Sequence, residues 1–385
     1  MLTGSDPAPG TPSSSDPSSS DPSSSDPSSS GRSSWGLSSW GLSALDRTRT
    51  RAGSADADAL RGTVDRARRA EAAGYDRFWV AEHHGVPGVA GASPAVLLSA
   101  LAARTSSIRL GSAGVMLPHH QPLVVAEQFA TLPAFAPGRV ALGVGRSPGF
   151  TAPVRRALRS DRIRDFGADL AELRAHLTGT AEITAPPRPD GDVPVFVLAT
   201  ARGLAVAAEL GLPVVVGGPL LGVAGDPGPG LAALARYRDD YRPSAGAPEP
   251  WVGISLDVLV ADTAAAAQEL LLPEAWAMAQ ARTIGTFPPL EPVAAVRGRT
   301  MTAGQRRHVA DTAAAAVAGT PGEVADRLAG LLDRAGAAEL VASGSTYDRG
   351  ALAESDAALA ELFGRSPVRR SSDGSAAARP APSPA

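Results

Sequence analysis

Hydrophobic segments of strand length alternate with segments of helical pattern through most of this chain of 385 residues. The alternation is densest from 74 to 149, where three strand segments are separated by two helical ones. Strands that alternate with helices of about 10–15 residues are typical of βαβ units and a parallel sheet. In such sheets the chemistry lies at the carboxyl ends of the strands. The residues that follow each strand are therefore the candidates for function.

Eight segments along the chain have the apolar pattern of a strand. They are 42–46, 76–82, 108–117, 139–145, 193–200, 212–218, 251–262 and 337–344. Helices are predicted between most of them; at 320–323, for example, a capping box with proline at the first helical position starts one. This pattern predicts a (β/α)8 TIM barrel with insertions. The alternative is an open doubly wound sheet, but the best match to its GxGxxG motif, at 143–149, is one residue off in spacing.

The two ends of the chain differ in composition from this region. Residues 1–40 contain repeated SSSDP and SSWGL segments, and residues 365–385 are rich in serine, proline and alanine. Segments of this kind bury too little apolar surface to offset the entropy lost on ordering. We therefore expect disordered tails at 1–40 and 365–385, and a single barrel domain at 41–364.

Composition excludes several classes of function. The absence of cysteine rules out disulfides, thiolate metal sites and cysteine nucleophiles. The net charge of −3 gives no reason to expect nucleic acid as a partner, and no apolar run reaches the roughly 18–20 residues that span a bilayer. All 36 basic residues are arginine, which we attribute to a GC-rich genome. These features predict a cytoplasmic protein that binds neither nucleic acid nor a membrane.

Glu82, His83 and His84 stand at the end of the second strand segment. Neighbouring residues of a strand point to opposite faces, so the two histidines are poorly placed to bind one metal ion. His119 and His120 follow the third strand, but no HxH pair completes a set of ligands. We therefore predict no metal site. We expect Glu82 or His83 to face the barrel mouth as an acid–base or hydrogen-bonding group.

Three further strand ends carry residues suited to a flat ligand that bears a phosphate. The run of small residues at 111–114 allows either close approach of a flat ligand or a simple bulge. Arg146 follows two glycines and can bind a phosphate through paired hydrogen bonds. Ala199 and Thr200 end a strand before a helix that contains Gly203, and a helix N-terminus binds anions. Together these residues predict two donors to one phosphate across the barrel mouth.

Several of these motifs resemble the luciferase-like flavin-dependent monooxygenases. They are VAEHHG at 80–85, the long segment at 101–132, PGRVALGVGRSPG at 137–149, VAAELGLP at 206–213 and GTPGEVADRL at 319–328. The resemblance covers about 42–364. It implies a TIM barrel that binds FMN at its mouth and uses reduced FMN and O2 to oxidise a small organic substrate. It also implies a separate flavin reductase as the source of reduced FMN, and a homodimer, because relatives are frequently dimers.

The resemblance also implies roles for single residues. His83 stands at the position of the family's catalytic histidine, and with Glu82 it would line the flavin and substrate pocket. Arg146 would bind the flavin phosphate, with help from Thr200 and the helix start that follows it.

Other residues would lie under the flavin ring, and two segments of the chain depart from the family pattern. Ser112 and Ala113, followed by Gly114, would lie under the isoalloxazine ring, where relatives can hold a non-proline cis peptide. Close relatives often carry Ser-Ser where this chain has Ala199 and Thr200, so one hydroxyl toward the phosphate is lost. The RTRTRAG segment at 47–53 replaces the usual proline-containing loop after the first strand.

Three other functions are compatible with the same pattern. The first is a deazaflavin (F420)-dependent oxidoreductase that moves hydride without O2. The second is a barrel that binds flavin without catalysis, and the third is a metal-dependent hydrolase. Titration with FMN and with deazaflavin, oxygen uptake coupled to a reductase, and metal analysis distinguish them.

Overall fold

The computed structural model describes residues 36–147, 149, 151–159, 165–188, 191–217 and 228–366. Most of the two predicted tails, together with the loop at 218–227 and the end of the strand predicted to reach 218, lies outside the described residues. A 3-10 helix spans Leu37–Ser39, ahead of the boundary predicted at residue 41, and Leu37 is fully buried. At the other end, Arg365 donates hydrogen bonds to the Trp40 carbonyl and to Asp76.

The strands of the described chain are numbered in order. They are β1 (Gly41–Asp46), β2 (Arg77–Val80), β3 (Arg109–Ser112), β4 (Val115–Met116), β5 (Val140–Gly145), β6 (Val195–Ala199), β7 (Val214–Gly217), β8 (Val252–Leu256), β9 (Val258–Val260), β10 (Val317–Gly319) and β11 (Glu339–Ala342).

The helices follow the same numbering. They are α1 (Asp56–Ala72), α2 (Pro94–Ala102), α3 (Pro122–Thr131), α4 (Ala152–Ala157), α5 (Phe166–Thr178), α6 (Ala201–Leu210), α7 (Gly228–Asp239), α8 (Ala264–Ile284), α9 (Val293–Arg297), α10 (Ala303–Ala315), α11 (Pro321–Ala335) and α12 (Arg349–Leu362). Among the described residues, none of these helices has the length and apolar character needed to cross a membrane.

Eight parallel strands close into a barrel. Their order is β3, β2, β1, β11, β8, β7, β6 and β5, and pairing of β3 with β5 closes the ring. The closing register sets Leu110 opposite Val140 and Gly111 opposite Ala141. The predicted (β/α)8 barrel is therefore confirmed, and the open doubly wound sheet is wrong.

The strands predicted at 108–117 and 251–262 are each two strands in the structure. The first is interrupted by the residues between β3 and β4, and the second is interrupted at a polar contact. Asp257 separates β8 from β9: its carboxylate accepts hydrogen bonds from Arg47 and Ser343, and its carbonyl accepts one from the Val317 amide. β9 then pairs with β10 in a separate two-stranded sheet. The apolar run alone cannot show this break, because the partners of Asp257 are distant in sequence.

Side chains fill the inside of the barrel below its mouth. Trp79 and Phe196 meet edge to face, with ring centroids 5.4 Å apart, and they pack with Leu45, Val215 and Val341. A Cβ at position 111 would collide with the ring of Trp79. Thus the first glycine of the 111–114 run makes room for a core tryptophan.

Helix signals in the sequence explain the outer layer. Thr320 accepts a hydrogen bond from the Glu323 amide and Glu323 accepts one from the Thr320 amide, so the predicted capping box starts α11. A second capping box, between Thr302 and Gln305, starts α10, a helix that was not predicted from the sequence. The capping box of α10 is visible in the sequence, but no clear apolar period follows it, because the first turns of the helix carry Arg306 and other polar residues.

Candidate active site

A pocket of about 510 Å³ opens at the carboxyl ends of β2, β3, β5 and β6. This volume is within the range of cofactor and small-molecule sites. Part of its wall is apolar and part is polar. Its lining residues are Ala81, Glu82, His83, Ala113, Gly114, Met116, Gly145, Arg146, Ser147, Leu198 and Thr200.

The apolar part of the wall is built from small residues at strand ends. A non-proline cis peptide joins Ala113 to Gly114, between β3 and β4. A Cβ at Gly145 would meet only the Cβ of Leu198, at 4.0 Å. A larger residue at 145 would therefore project into open pocket space, so glycine there leaves room for a ligand.

Glu82 is the centre of the polar wall. Its side chain is fully buried, and one oxygen, Oε1, lies 2.6 Å from His84 Nε2 and 2.7 Å from His120 Nε2. The other oxygen, Oε2, accepts a hydrogen bond of 3.0 Å from the Met116 amide. An ionised carboxylate can only accept hydrogen bonds, so both imidazoles donate from Nε2.

These contacts determine the charge of Glu82. Burial by itself would raise the pKa of its carboxyl group, but hydrogen bonds from His120, His84 and the Met116 amide lower that pKa to about 2. Glu82 is therefore an anion throughout the physiological range. It cannot act as a general acid unless one of its imidazole donors is lost.

His83 lies in a different environment from its neighbour. Burial, together with the nearby guanidinium groups of Arg47 and Arg49, lowers the pKa of His83 to about 4, although Glu82 acts in the opposite direction. His83 is therefore neutral at pH 7 and able to accept a proton. Its main-chain amide donates to the Gly91 carbonyl at 2.9 Å, which fixes the chain at this point.

The arginines beside His83 come from the segment after β1. Arg47 contacts Asp257 at 2.6 Å, and Arg49 contacts Glu274 of α8 at 2.8 Å. Glu274 is fully buried and also lies 3.4 Å from Arg47. The guanidinium of Arg49 stacks over the Phe287 ring at 4.1 Å. These contacts fix the position of the RTRTRAG segment next to His83.

The charge of His83 predicts a pH dependence of stability. Its folded-state pKa of about 4 lies below the ordinary 6.5, so protons bind the unfolded chain first as pH falls. The stabilisation is complete above pH 6.5 and is lost between pH 6.5 and 4, by at most about 3 kcal/mol. Urea unfolding of the His83→Asn variant should show a flatter pH dependence over this window. A His308→Asn variant on α10 is the control, and an unchanged slope in His83→Asn would contradict the assignment.

Comparison with known proteins identifies the family. A profile of the luciferase-like monooxygenases matches residues 40–339. The chain belongs to this family. It is 40% identical over 225 residues to an uncharacterised Bacillus subtilis protein, a match that spans 57% of this chain and 66% of that protein. It is 37% identical over 246 residues to a luciferase-like monooxygenase of Escherichia coli, across 62% of this chain and 72% of the relative.

Solved structures of similar proteins carry the same barrel. Apo-MsnO8 superposes with a TM-score of 0.75 at 30% identity, over 86% of this chain and 99% of that one. The oxygenating component of 3,6-diketocamphane monooxygenase from Pseudomonas putida, solved with FMN, has a TM-score of 0.61 at 16% identity, over 84% and 98% of the two chains. An F420-dependent secondary alcohol dehydrogenase superposes with a TM-score of 0.59 at 15% identity, over 84% of this chain and 99% of that one. The last two likenesses show the fold alone.

Six of the nine site residues predicted from the sequence line the pocket. They are Glu82, His83, Ala113, Gly114, Arg146 and Thr200.

Three predicted cofactor-binding residues are not among the lining residues. The Ser112 hydroxyl donates to the Gly143 carbonyl at 2.8 Å and accepts from the Gly143 amide at 3.0 Å, so it ties β3 to β5. Ala199 is buried, and a Cβ added at Gly203 would lie 3.5 Å from the Ala199 Cβ. Both residues therefore pack inside the β6–α6 unit. The cis peptide likewise lies at Ala113–Gly114, one residue beyond the Ser112–Ala113 pair to which the resemblance pointed.

Sequence reasoning missed the histidine partners of Glu82. The argument from opposite strand faces separates His83 from His84, but it leaves Glu82 and His84 on the same side. The structure brings His84 and His120 to that carboxylate, so ligand atoms of these three residues lie within 4.8 Å of one another. The distances of 2.6 and 2.7 Å match hydrogen bonds, whereas ligands of one tetrahedral zinc ion stand about 3.3 Å apart. The cluster is therefore a hydrogen-bonded triad in this structure.

Proposed function

We propose that this luciferase-like monooxygenase uses reduced FMN and O2 to oxidise a small organic substrate. The observation that carries the proposal is the pocket at the barrel mouth, with an apolar floor at Ala113–Gly114 and a cation at its rim. Family membership supports an oxidoreductase of the monooxygenase type. The FMN-bound relative supports the choice of cofactor at the level of the fold.

The residues around the pocket fit FMN. Arg146 is exposed at the rim and forms no ion pair within the described residues, so its guanidinium is available to a phosphate. Thr200 is the N-cap of α6, but its hydroxyl makes no capping hydrogen bond among the described residues. The first amides of a helix also lack intrahelical partners. Arg146, Thr200 and the start of α6 would therefore hold the phosphate, and Ala113, Gly114 and Leu198 would contact the ring.

The chemistry divides between cofactor and protein. Bound FMN supplies the electrons and activates O2, as flavins do in oxygenases. Neutral His83 can take up a proton from the substrate at an imidazole nitrogen. Anionic Glu82 orients His84 and His120 and, through the Met116 amide, the strand that follows the cis peptide. Ala81, Met116 and Leu198 give the same cavity apolar lining, which would disfavour water beside the flavin ring.

An F420-dependent hydride transfer is the second candidate, because an F420-dependent dehydrogenase shares the barrel. Titration of the purified protein with FMN and with F420, followed by flavin fluorescence, separates the two. Oxygen uptake with NADH and a flavin reductase then tests the reaction itself. We expect tight FMN binding and substrate-dependent uptake. F420 binding alone, or FMN binding without uptake for any substrate tried, would favour the hydride transferase or a barrel that only binds flavin.

Two partners remain part of the proposal. The pocket described above would hold one flavin, and we propose that a separate flavin reductase supplies it in reduced form. We also propose a homodimer, which light scattering of the purified protein tests directly.

Arg146→Ala should weaken FMN binding by at least about 2 kcal/mol, or about 30-fold in Kd. A charge-assisted pair with the phosphate is lost, and such pairs contribute more than neutral hydrogen bonds. Fluorescence quenching of FMN measures the change. Riboflavin, which lacks the phosphate, should bind wild type and variant equally. Arg68→Ala, an exposed arginine on α1, is the control, and unchanged FMN affinity in Arg146→Ala would remove Arg146 from the site.

A further inference from the structure

A second, smaller cavity lies between α1 and α12 and shares no lining residue with the candidate active site. Its volume is about 20 Å³, which holds one occupant the size of a water molecule. The charged groups in its lining are unbalanced, five arginines to one aspartate. They are Arg49, Arg51, Arg66, Arg69, Arg349 and Asp46.

Carboxylates neutralise only two of the five arginines. Arg49 pairs with Glu274, and Arg66 pairs with Asp356 at 2.8 Å and with Asp46 at 3.3 Å. Asp46 is shared further, because it also accepts hydrogen bonds from the Thr48 amide and the Thr63 hydroxyl. The other three arginines form no ion pair within the described part of the chain; they are Arg51, Arg69 and Arg349.

Of the three, Arg51 is buried, with 9% of its surface exposed, whereas Arg349 is half-buried and Arg69 is exposed to solvent. The Arg51 guanidinium donates to the carbonyls of Tyr347, Arg49 and Thr346 at 2.6, 3.1 and 2.8 Å. Carbonyls satisfy these donors but bring no net charge. Burial and the neighbouring Arg349 lower the pKa of Arg51 to about 10. Asp46 offsets part of this positive charge, but within the described residues no carboxylate forms an ion pair with Arg51 or Arg349.

Gly62 shows that α1 is shaped to admit Arg349. A glycine inside a helix costs about 1 kcal/mol relative to alanine. A Cβ at this position would collide with Nη1 of Arg349, whose Nη2 donates to the Asp58 carbonyl at 2.8 Å. The missing side chain thus lets the Arg349 guanidinium lie against the helix at the cavity wall.

We propose that this cavity is a binding site for one halide-sized inorganic anion, such as chloride. A single-atom anion matches the volume, whereas a phosphate or sulfate group has five heavy atoms. An anion here would offset buried positive charge that is otherwise costly. It would also bridge α1 and α12, so binding of the anion should raise the stability of the folded protein.

The test compares thermal unfolding of the full chain in sodium chloride, sodium bromide and sodium gluconate at equal ionic strength. Chloride and bromide should raise Tm by about 2 °C or more over gluconate, with saturation. Arg349→Met removes one cation and Gly62→Ala displaces it, so both variants should lose the halide-specific increment. Arg68→Met, an exposed arginine on the same helix, should keep it.

A crystal of the wild-type protein soaked in bromide gives an independent readout, and an anomalous peak is expected between Arg51 and Arg349. Equal melting in halide and gluconate, or a halide increment that survives in Arg349→Met, would overturn the proposal. A response to phosphate without one to chloride would overturn the choice of anion.

Discussion

Glu274→Gln should destabilise the protein by about 3–5 kcal/mol, the largest effect on stability expected from a single substitution here. Glu274 is fully buried and lies 2.8 Å from Arg49 and 3.4 Å from Arg47. A buried pair contributes little net stability, but removing one partner leaves an uncompensated charge in a medium of low polarity. Urea unfolding at pH 7 measures the change.

A double substitution separates this mechanism from loss of packing. Glu274→Gln with Arg49→Met removes both charges, so it should be more stable than Glu274→Gln alone, with a coupling above about 1 kcal/mol. Glu209→Gln is the control, because Glu209 is exposed and lies 3.7 Å from Arg242. If the double variant is as unstable as the sum of the single ones, the charges of Arg49 and Glu274 act independently.

Glu274 illustrates which parts of the fold the sequence could and could not predict. The eight barrel strands were predictable, because each is a local apolar run bounded by polar or glycine residues. Glu274 gave no such signal: it stands in an apolar helical segment, and its partners lie about 225 residues earlier in the chain. The arginines of the RTRTRAG segment were attributed to genome composition for the same reason. Only the folded structure shows that Arg49 is buried, and Arg47 half-buried, beside Glu274.

The candidate site shows the same division. Residues at strand ends were identified from local sequence, and Glu82, His83 and Arg146 do meet at one pocket. The direction of a side chain at a strand end was harder to predict. Ser112 was assigned to the flavin ring, but its hydroxyl bonds to Gly143 of the neighbouring strand. His120 was considered only as a metal ligand, because its hydrogen bond to Glu82 spans 38 positions and depends on the turn after β4.

Glu82→Gln should reduce substrate oxidation by about 100-fold or more, with a smaller effect on FMN affinity. The carboxylate accepts three hydrogen bonds, from His84, His120 and the Met116 amide. Glutamine has one oxygen and one NH2 group. Its NH2 group either faces the Met116 amide, donor against donor, or faces His84 and His120, which must then change tautomer and accept at Nε2. An unsatisfied buried group costs about 1–3 kcal/mol, and it would shift either the imidazoles or the strand after the cis peptide.

The rate of catalytic proton transfer falls by about two or more orders of magnitude when the acid or base is misplaced. This sets the size of the expected effect on kcat. Oxygen uptake coupled to a flavin reductase gives kcat, and FMN titration gives Kd, so a change in positioning is distinguished from loss of the cofactor. Glu82→Asp keeps the charge but shortens the side chain, and should retain more activity than Glu82→Gln if charge is the main requirement. Glu209→Gln is again the control. Turnover within twofold of wild type in Glu82→Gln would show that the triad of Glu82, His84 and His120 is structural. Proton transfer would then be assigned to His83 among the described lining residues.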